Sequence, residues 1–276
     1  MNVFTDLSEI TPADGDSGTK QSIARGFGGA SRTYDSASRL QKTMGDAMLV
    51  NIPGNLSPQA ILDLGCGTGW FTRKLAVTYP NAAITGADLA PGMIEQARTT
   101  GPDIAAWLNA DAEQLPLADQ SVDLIFSNLM IQWSRRPDVV LAECRRVLKP
   151  GGVLVVSTLL DGTLRELKQA WAKVDPGQAH VNRFASEEDW RALTADTLPD
   201  SELEVNSIIL RYDSPMALNR ELKDLGAGFK GEERRRTATA PGRFRAMCRA
   251  FPGSDDSGVL VTYEAGWLYW LKPYSA

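Results

Sequence analysis

The sequence contains little histidine or cysteine and no long apolar run. Its 276 residues include a single histidine, His180, and three widely separated cysteines, Cys66, Cys144 and Cys248. These residues match no familiar spacing of a zinc site, so we expect no metal-dependent mechanism. An odd, scattered set of cysteines is typical of a reducing compartment, and we therefore expect a cytoplasmic protein without disulfides. The longest apolar runs have the length of a strand, so we expect no membrane-spanning segment.

The chain also has no excess of basic charge. Its 29 lysines and arginines stand against 34 aspartates and glutamates, a net charge of −5. General nucleic-acid binding usually needs a basic face, so that class of function is disfavoured. The first twenty residues contain several acids and no apolar core, unlike a signal or transit peptide. The length and the 43% share of hydrophobic residues fit one large α/β domain with additions, or one domain plus a cap.

A glycine-rich turn after the first predicted strand indicates the class of ligand. A short apolar run containing Asp63 is followed by three alternating glycines, Gly65, Gly67 and Gly69, and then by a helical pattern. Glycine permits positive φ and lets a ligand approach bare backbone at a helix N-terminus. A dinucleotide fingerprint would carry its third glycine one residue later, where this chain has Trp70. With no P-loop motif present, we expect a nucleoside ligand without a pyrophosphate.

Polar residues follow the next predicted strands. Asp88 ends the second strand, 19 residues after Gly69, a distance at which a carboxylate can accept from both hydroxyls of a ribose. Asp111 follows the third strand and Asn128 ends the fourth. Ligands of open α/β sheets bind at the carboxyl ends of the strands, so we expect these residues to converge on the glycine turn. Taken alone, Asp111 could equally cap a helix or form a turn.

The N-terminal region divides into two parts. Residues 1–19 are polar and we expect them to be disordered. Residues 20–50 have a helical pattern interrupted by Gly26, Gly28 and Gly29, which predicts two helices with a flexible joint at these glycines. Such a segment could close over a ligand as a lid, or simply cover one edge of the sheet.

Residues 51–176 have the alternating pattern of a doubly wound α/β core, and residues 177–276 are expected to complete its sheet. A turn is predicted at 149–152. Two late strands, at 203–212 and 258–271, would form an antiparallel hairpin, with an inserted helical cap at about 214–251. The core elements predicted are strands 60–64, 83–88, 104–109, 122–127 and 152–158, and helices 69–79, 92–99, 137–147 and 163–174.

The acid and the three glycines of the turn resemble the signature of the class I S-adenosylmethionine-dependent methyltransferases. The resemblance implies a Rossmann-like, mostly parallel seven-stranded sheet with helices on both faces, and S-adenosylmethionine as cofactor. By position in the motifs, Asp88 would hold the ribose, while Asp111 and Ala112 would face the adenine. Asn128 would lie near the methyl-transfer centre. The cofactor-binding residues implied are Asp63, Gly65, Gly67, Gly69, Asp88, Leu89, Met93, Asp111, Ala112 and Asn128.

Five further patches are similar to the malonyl-acyl-carrier-protein O-methyltransferases of biotin synthesis, the BioC type. The resemblance runs from about residue 20 to residue 263 and implies methylation of the free carboxylate of a malonyl thioester on acyl carrier protein. A methyltransferase for a small carboxylic acid or a quinone precursor is an alternative, and so is a nucleoside-binding regulatory protein without catalysis. The patches are residues 20–28 with 34–35 and 40–41, residues 127–133, residues 157–159 with 162–167, 170–171 and 174–175, residues 180–184, and residues 222–227.

The implied chemistry needs orientation more than proton transfer. A carboxylate is already ionised at pH 7, so the reaction requires no general base. The rate enhancement would come from alignment of the carboxylate oxygen with the methyl group and the sulfur, and from exclusion of water around the anion. Arg183 is the candidate for orienting the malonyl carboxylate, although it could instead form a surface salt bridge. His180 could contact substrate or be structural, and Tyr34 could close over the sulfonium or be a core aromatic. Candidates for the walls of the substrate site are Trp133, Asn182 and Phe184.

A basic stretch near the C-terminus stands out in an acidic protein. Residues 230–249 contain six arginines and only two acids, Glu232 and Glu233. Carrier proteins are acidic, so the resemblance implies a basic docking surface, whereas the commoner meaning of a charge run is a solvated helix face. The candidate docking residues are Arg234, Arg235, Arg236, Arg243, Arg245 and Arg249.

Overall fold

Seven strands form one sheet in the computed structural model, which describes residues 16–102, 104–228, 240–255 and 257–274, with the backbone alone at 16–19. The strands are β1 (Ala60–Leu64), β2 (Ala83–Asp88), β3 (Ala106–Asn109), β4 (Val122–Asn128), β5 (Leu148–Leu159), β6 (Glu202–Tyr212) and β7 (Val259–Leu271). Their order across the sheet is β3-β2-β1-β4-β5-β7-β6. The first five run parallel, and β7 is antiparallel to both β5 and β6. This arrangement confirms the predicted fold class.

Helices pack on both faces of the sheet. In the described ranges, no helix is long and apolar enough to cross a membrane. The helices are α1 (Asp16–Ala37), α2 (Arg39–Val50), α3 (Trp70–Thr78), α4 (Pro91–Thr99), α5 (Pro137–Val147), α6 (Arg165–Val174), α7 (Glu187–Thr197), α8 (Pro215–Asp224) and α9 (Pro241–Ala250), with a 3-10 turn at Ile131–Trp133.

The alternation of side chains along each strand creates two cores. In β1, Ile61 belongs to the core that contains Met44 of α2, whereas the next residue, Leu62, belongs to the core that contains Leu141 of α5. Successive residues of a strand point to opposite faces, so a parallel strand covered on both sides is mostly apolar, with Asp63 the exception in β1. This explains why the central strands could be recognised as continuous apolar runs.

The core elements follow the predicted order, with two differences at strand starts. β3 begins at Ala106 rather than residue 104, and β5 begins at Leu148 rather than residue 152. The predicted turn at 149–152 is instead an irregular start of β5, where the pairing with β4 shifts register between Val122 and Leu124.

The N-terminal segment corrects two expectations. Residues 16–19 belong to α1 and are not disordered, and residues 1–15 lie outside the described ranges. The break between the two helices is at Ser38, not at the three glycines, which lie within α1. Two glycines outside α1 instead approach the backbone of this stretch closely. A Cβ on Gly92 of α4 would come within 2.9 Å of the Gly28 carbonyl oxygen, and a Cβ on Gly226 would collide with the carbonyl of Gly26.

The C-terminal third contains the predicted antiparallel pair and one helix that the sequence pattern did not reveal. Strands β6 and β7 lie close to the predicted positions, and helix α7 between residues 187 and 197 was missed. Helices α8 and α9 fall within the predicted cap. Residues 229–239, which carry Arg234, Arg235 and Arg236, lie outside the described residues.

Candidate active site

A cavity opens at the carboxyl ends of β1, β2 and β4, beneath helix α1. It contains about 790 Å³ of space not filled by protein atoms, part of it open to solvent. Leu64 lines it from β1 and Gly65 from the turn that follows, Ala87 and Asp88 from β2, and Asn128 from β4. This first cavity therefore lies at the edge where open α/β sheets bind their ligands.

Helix α1 forms the roof of the first cavity. Lys20, Ile23, Phe27 and Tyr34 all line it, and their spacing puts them on one face of the helix. The Phe27 ring packs edge-on against Trp133 at 5.0 Å between centroids and against Tyr34 at 6.4 Å. The helix thus covers the ligand cavity rather than only an edge of the sheet, while its movement as a lid stays a prediction.

The glycine turn is shaped for close approach of a ligand. Gly65 and Gly67 have φ of 77° and 54°, in the left-handed region that favours glycine. A Cβ on Gly65 would also collide with the side chain of Met130. The Asp88 carboxylate accepts a hydrogen bond from the Gly67 backbone N–H at 2.9 Å, so the acid at the end of β2 fixes the turn after β1.

Asp88 is held rigidly at the wall of the first cavity. Its Oδ1 accepts from the Ala90 backbone N–H at 2.8 Å, and its Oδ2 accepts from Gly67. Burial raises the pKa of Asp88 above its ordinary value, although both backbone hydrogen bonds favour the charged form. Each oxygen retains a lone pair for another donor, so the carboxylate fits the two hydroxyls of a ribose.

Acidic groups make this part of the site suitable for a cation. Asp63 is 2% exposed, and burial raises its pKa to about 7 despite a 2.5 Å hydrogen bond from the Thr72 hydroxyl. The pKa of Tyr34 is also raised, by burial and then by the neighbouring carboxylate of Asp88. A cationic ligand beside Tyr34 would be stabilised by the same charges.

Lys20 connects the roof to the end of β3. Its ammonium lies 2.8 Å from the Asp111 carboxylate and 2.5 Å from that of Glu113, which also accepts from the Ser134 hydroxyl at 2.7 Å. Burial lowers the pKa of Lys20, but the hydrogen bonds to the two acids outweigh this and raise it above its ordinary value. The ion pair therefore fastens the first turns of α1 over the predicted adenine end.

Asn128 is fixed by neighbours on both sides. Its Nδ2 donates to the Gln41 carbonyl at 2.9 Å, and its Oδ1 accepts from the Ser157 hydroxyl at 2.7 Å. The same hydroxyl accepts from the backbone N–H of Leu129, which has a φ of 53°. A leucine in this region is uncommon, and such strain is typical of positions that the surrounding structure holds for a function.

A second cavity lies beside the glycine turn, next to helix α2. It shares Tyr34, Gly65, Gly67 and Asn128 with the first cavity. The two cavities therefore meet at the turn. Its further lining residues are Ser38, Gln41, Lys42, Asp63, Cys66, Thr68, Trp70 and Phe71.

Most of the predicted cofactor residues line one of the two cavities. Gly69 lines neither: it precedes α3 with a φ of 79°, and a Cβ there would collide with the ring of Trp107. Asp63 lines the second cavity alone. The predicted residues that line the first cavity are Tyr34, Gly65, Gly67, Asp88, Leu89, Met93, Asp111, Ala112, Asn128 and Trp133.

The 180–184 segment, containing His180, Asn182, Arg183 and Phe184, lines neither cavity. It precedes Ala185, whose carbonyl accepts from the Asp161 backbone N–H at 3.0 Å, just beyond the carboxyl end of β5. Arg183 is exposed there.

His180 is held by neighbours outside both cavities. Its ring stacks on Trp171 with centroids 3.9 Å apart, and its Nε2 lies 2.9 Å from Asp175. The segment thus lies outside both cavities, next to the carboxyl end of β5.

Sequence reasoning did not assign several polar or aromatic residues of the cavities. These include Lys20 and Phe27 of α1, and Gln41 and Lys42 of α2. The helical spacing of Lys20, Ile23, Phe27 and Tyr34 was a usable signal for one functional face, because a lysine interrupts an otherwise apolar stripe.

Comparisons with known proteins identify a domain family and a fold. A family model described as "Methyltransferase domain" matches residues 62–156, which include the glycine turn and Asp88. The YcgJ protein of Bacillus subtilis has a similar fold, with a TM-score of 0.58 and 18% identity over 84% of this chain and 98% of that chain.

Two curated relatives match nearly the whole chain. The malonyl-acyl-carrier-protein O-methyltransferase of Hahella chejuensis is 38% identical over 265 residues, covering 95% of this chain and 94% of the relative. The biotin biosynthesis bifunctional protein BioHC of Cellvibrio japonicus is 39% identical over 256 residues, covering 92% of this chain and 50% of that protein. The chain therefore belongs to the malonyl-acyl-carrier-protein O-methyltransferase family.

Proposed function

We propose that this member of the malonyl-acyl-carrier-protein O-methyltransferase family transfers the methyl group of S-adenosylmethionine to the free carboxylate of a malonyl thioester on acyl carrier protein. The observation that carries the proposal is the 38% identity to a relative of that name over 95% of this chain. Since another relative is named for biotin biosynthesis, we propose that the methyl ester enters that pathway, in the cytoplasm.

The residues of the two cavities fit the cofactor. When bound, S-adenosylmethionine supplies an electrophilic methyl group on a sulfonium. Asp88 would bind the ribose hydroxyls, and Asp111 and Ala112 would bound the adenine. The bare backbone at Gly65 and Gly67 would let the middle of the cofactor pass from one cavity to the other.

The chain would accelerate the transfer by positioning. The malonyl carboxylate is ionised at neutral pH, so no residue needs to remove a proton. Tyr34 and the buried acids around it would favour the cationic sulfonium, and the aromatic roof of Phe27 and Trp133 would exclude water from the reacting oxygen. Asn128, held by Gln41 and Ser157, would keep the end of β4 fixed beside the reacting atoms.

Arg183 is proposed to bind the malonyl carboxylate. Its location just before the Asp161–Ala185 contact, at the carboxyl edge of the sheet, supports this role. A guanidinium can hold one carboxylate oxygen while the other faces the methyl group. Asn182 and Phe184 would line the same approach.

His180 stays a candidate for a substrate contact, but Nε2 already faces Asp175, so such a contact would have to use Nδ1. The stacking on Trp171 and the contact with Asp175 also support a second role, in which His180 positions the segment that carries Arg183.

Helix α9 is proposed to bind the acidic carrier protein. Arg245 and Arg249 are exposed on it, whereas Arg243 is half-buried with its guanidinium 3.8 Å from Asp175. Asp175 also contacts His180, so the proposed docking helix is directly connected to the proposed substrate segment. A carrier bound at this helix would deliver its acyl group close to Arg183.

The test is methyl transfer with purified components. The protein is incubated with S-adenosylmethionine and malonyl-loaded carrier protein, and the intact carrier is analysed by mass spectrometry. We expect the carrier to gain one methyl group, and acetyl-loaded carrier, which lacks the free carboxylate, to remain unchanged. Methylation of both carriers, or of neither, would contradict the proposal.

A further inference from the structure

An ion pair on helix α5 holds the loop that follows β3. The loop comprises residues 110–119, and its first four residues line the first cavity. Helix α5 lies beside the loop and contributes Val140 to the same cavity. Glu143 and Arg146 follow Val140 at a spacing of three residues, which puts them on the same side of the helix. Neither residue belongs to a motif that the sequence analysis singled out.

The Arg146 guanidinium uses all five of its N–H groups. Its Nε and one terminal nitrogen form a fork with the Glu143 carboxylate, at 2.8 Å each. The other three N–H groups donate to the carbonyls of Leu115 at 3.0 Å and Leu117 at 2.8 Å, and to the Asp119 carboxylate at 2.7 Å. A lysine could not reproduce this pattern, because an ammonium has three donors and no planar fork.

Glu143 binds the same loop as its partner. Its carboxylate accepts from the Leu115 backbone N–H at 2.8 Å, so both backbone polar groups of Leu115 are bound by side chains of α5. The hydrogen bonds from Arg146 lower the pKa of Glu143 below its ordinary value, which keeps the pair charged at neutral pH. The Leu115 side chain is buried in the core that contains Leu141 of α5. The loop is therefore fixed at Leu115 by both its backbone and its side chain.

The residues that line the cavity come directly before this anchor. The Gln114 backbone N–H donates to the Asp111 carbonyl at 3.0 Å, and the Glu113 backbone N–H donates to the Asp111 carboxylate at 3.0 Å. These bonds make a compact turn between the end of β3 and Leu115. A displacement of Leu115 would therefore also displace Asp111 and Ala112.

We infer that Glu143 and Arg146 are positioning residues for the base of the cofactor, and that they hold Asp111 and Ala112 in the arrangement that distinguishes adenine from other purines. The inference rests on the proposed function, which puts the adenine beside Asp111 and Ala112. Adenine presents an amino donor next to a ring acceptor, whereas hypoxanthine reverses both groups. A fixed loop can use this difference, but a loop that moves adapts to either base.

The test compares two ligands that differ only in the base. S-adenosylhomocysteine carries adenine, and S-inosylhomocysteine carries hypoxanthine. If Arg146→Met leaves the loop in place only about a tenth of the time, its Kd for S-adenosylhomocysteine by calorimetry should rise about tenfold. Its Kd for S-inosylhomocysteine should change little, so the preference for adenine should fall. Arg146→Lys should recover only part of that preference, because it keeps the charge and loses the fork.

The reaction should show the same separation. In Arg146→Met, KM for S-adenosylmethionine should rise, while kcat at saturating cofactor should stay near the wild-type value because the base lies away from the reacting methyl group. Backbone hydrogen exchange across residues 110–117 should become faster, which reports the loss of the anchor directly.

Arg145→Met is the matched control. Arg145 is the preceding residue of α5, but its guanidinium donates to the Thr197 carbonyl of α7 at 3.1 Å and not to the loop. The control should leave both Kd values and the exchange of residues 110–117 unchanged. Retained binding of S-inosylhomocysteine shows that a variant is folded, and the milder Arg146→Lys keeps the test decisive if Arg146→Met does not fold.

The outcomes separate this inference from the proposed function. If Arg146→Met and Arg146→Lys keep the wild-type preference for adenine, or raise both Kd values equally as a merely structural ion pair would, the inference is overturned. A wild-type protein that binds both ligands equally well would also overturn it, without affecting the proposed function. A wild-type protein that binds neither ligand would overturn the proposed function itself.

Discussion

Replacement of Asp88 by asparagine should separate cofactor binding from stability. The change keeps the size of the side chain but removes its charge and turns one oxygen into an NH₂ group. Either Oδ1, which accepts from Ala90 at 2.8 Å, or Oδ2, which accepts from Gly67 at 2.9 Å, is then lost as an acceptor. A buried backbone N–H without an acceptor costs about 1–3 kcal/mol, so we expect the free energy of unfolding to fall by roughly that amount.

The effect on the cofactor is expected to be of similar size. Two ribose hydroxyls would lose a charged acceptor, which is worth about 1.5–3 kcal/mol, or roughly a ten- to hundredfold rise in Kd. Calorimetric titration with S-adenosylhomocysteine measures this change, and chemical denaturation measures the accompanying loss of stability.

Asp123→Asn is the matched control. Asp123 also accepts two backbone N–H bonds, from Gln59 at 3.0 Å and Ala60 at 2.9 Å, but at the amino end of β1, away from both cavities. Both bonds end on Oδ2, which asparagine can retain, but the replacement also removes the ion pair with Lys149 and should lower the free energy of unfolding. Cofactor affinity should nevertheless be unchanged. A folded Asp88→Asn protein with wild-type Kd, or an equal loss of affinity in Asp123→Asn, would refute this reasoning.

Three further changes test the substrate segment, the docking helix and the buried acid of β1. Arg183→Ala should lower kcat/KM for malonyl-loaded carrier about ten- to a hundredfold, with the Kd for the cofactor unchanged. Arg183→Lys should recover only part of the lost kcat/KM. Full activity of the alanine variant would mean that another group binds the carboxylate. The double variant Arg245→Glu and Arg249→Glu should raise KM for the carrier substrate and make that KM less dependent on salt. Turnover of a small malonyl thioester should stay nearly unchanged. Equal losses with both substrates would count against docking. Because burial raises the pKa of Asp63 from 3.8 to about 7, the folded state holds this proton more tightly than the unfolded state, and the resulting stabilisation should be lost as pH rises from about 4 to 7. Denaturation curves across this range should show a smaller decline for Asp63→Asn, and an unchanged decline would contradict the raised pKa.

The sheet and the glycine turn could be predicted because their physics is local. Strands buried on both faces are mostly apolar, as β4 is from Leu124 to Phe126, and a turn with positive φ at Gly65 and Gly67 favours glycine. The acid at Asp88 is the last residue of its strand. These features leave a signal within a few residues of sequence.

The position of α1 over the first cavity and the break between α1 and α2 depend on tertiary contacts. Gly26 and Gly28 have the composition of a joint, but α1 continues through them, and their carbonyls are approached closely by Gly226 and Gly92. Nothing local indicated that the chain would bend at Ser38.

Helix α7 is a different case, because its start was readable. Ser186 and Asp189 form a capping box in which each side chain accepts from the backbone N–H of the other. The spacing of a serine and an acid three residues later is a known start signal for a helix.

Competition between substrates tests the central claim most directly. Malonyl-loaded carrier protein, acetyl-loaded carrier protein and free malonate are mixed at equal concentration with the enzyme and S-adenosylmethionine labelled in its methyl group. We predict that the label accumulates on malonyl-loaded carrier alone, and that alkaline hydrolysis releases it as expected for a methyl ester. Label on free malonate in preference to the carrier, or label on the carrier that resists hydrolysis, would contradict the account.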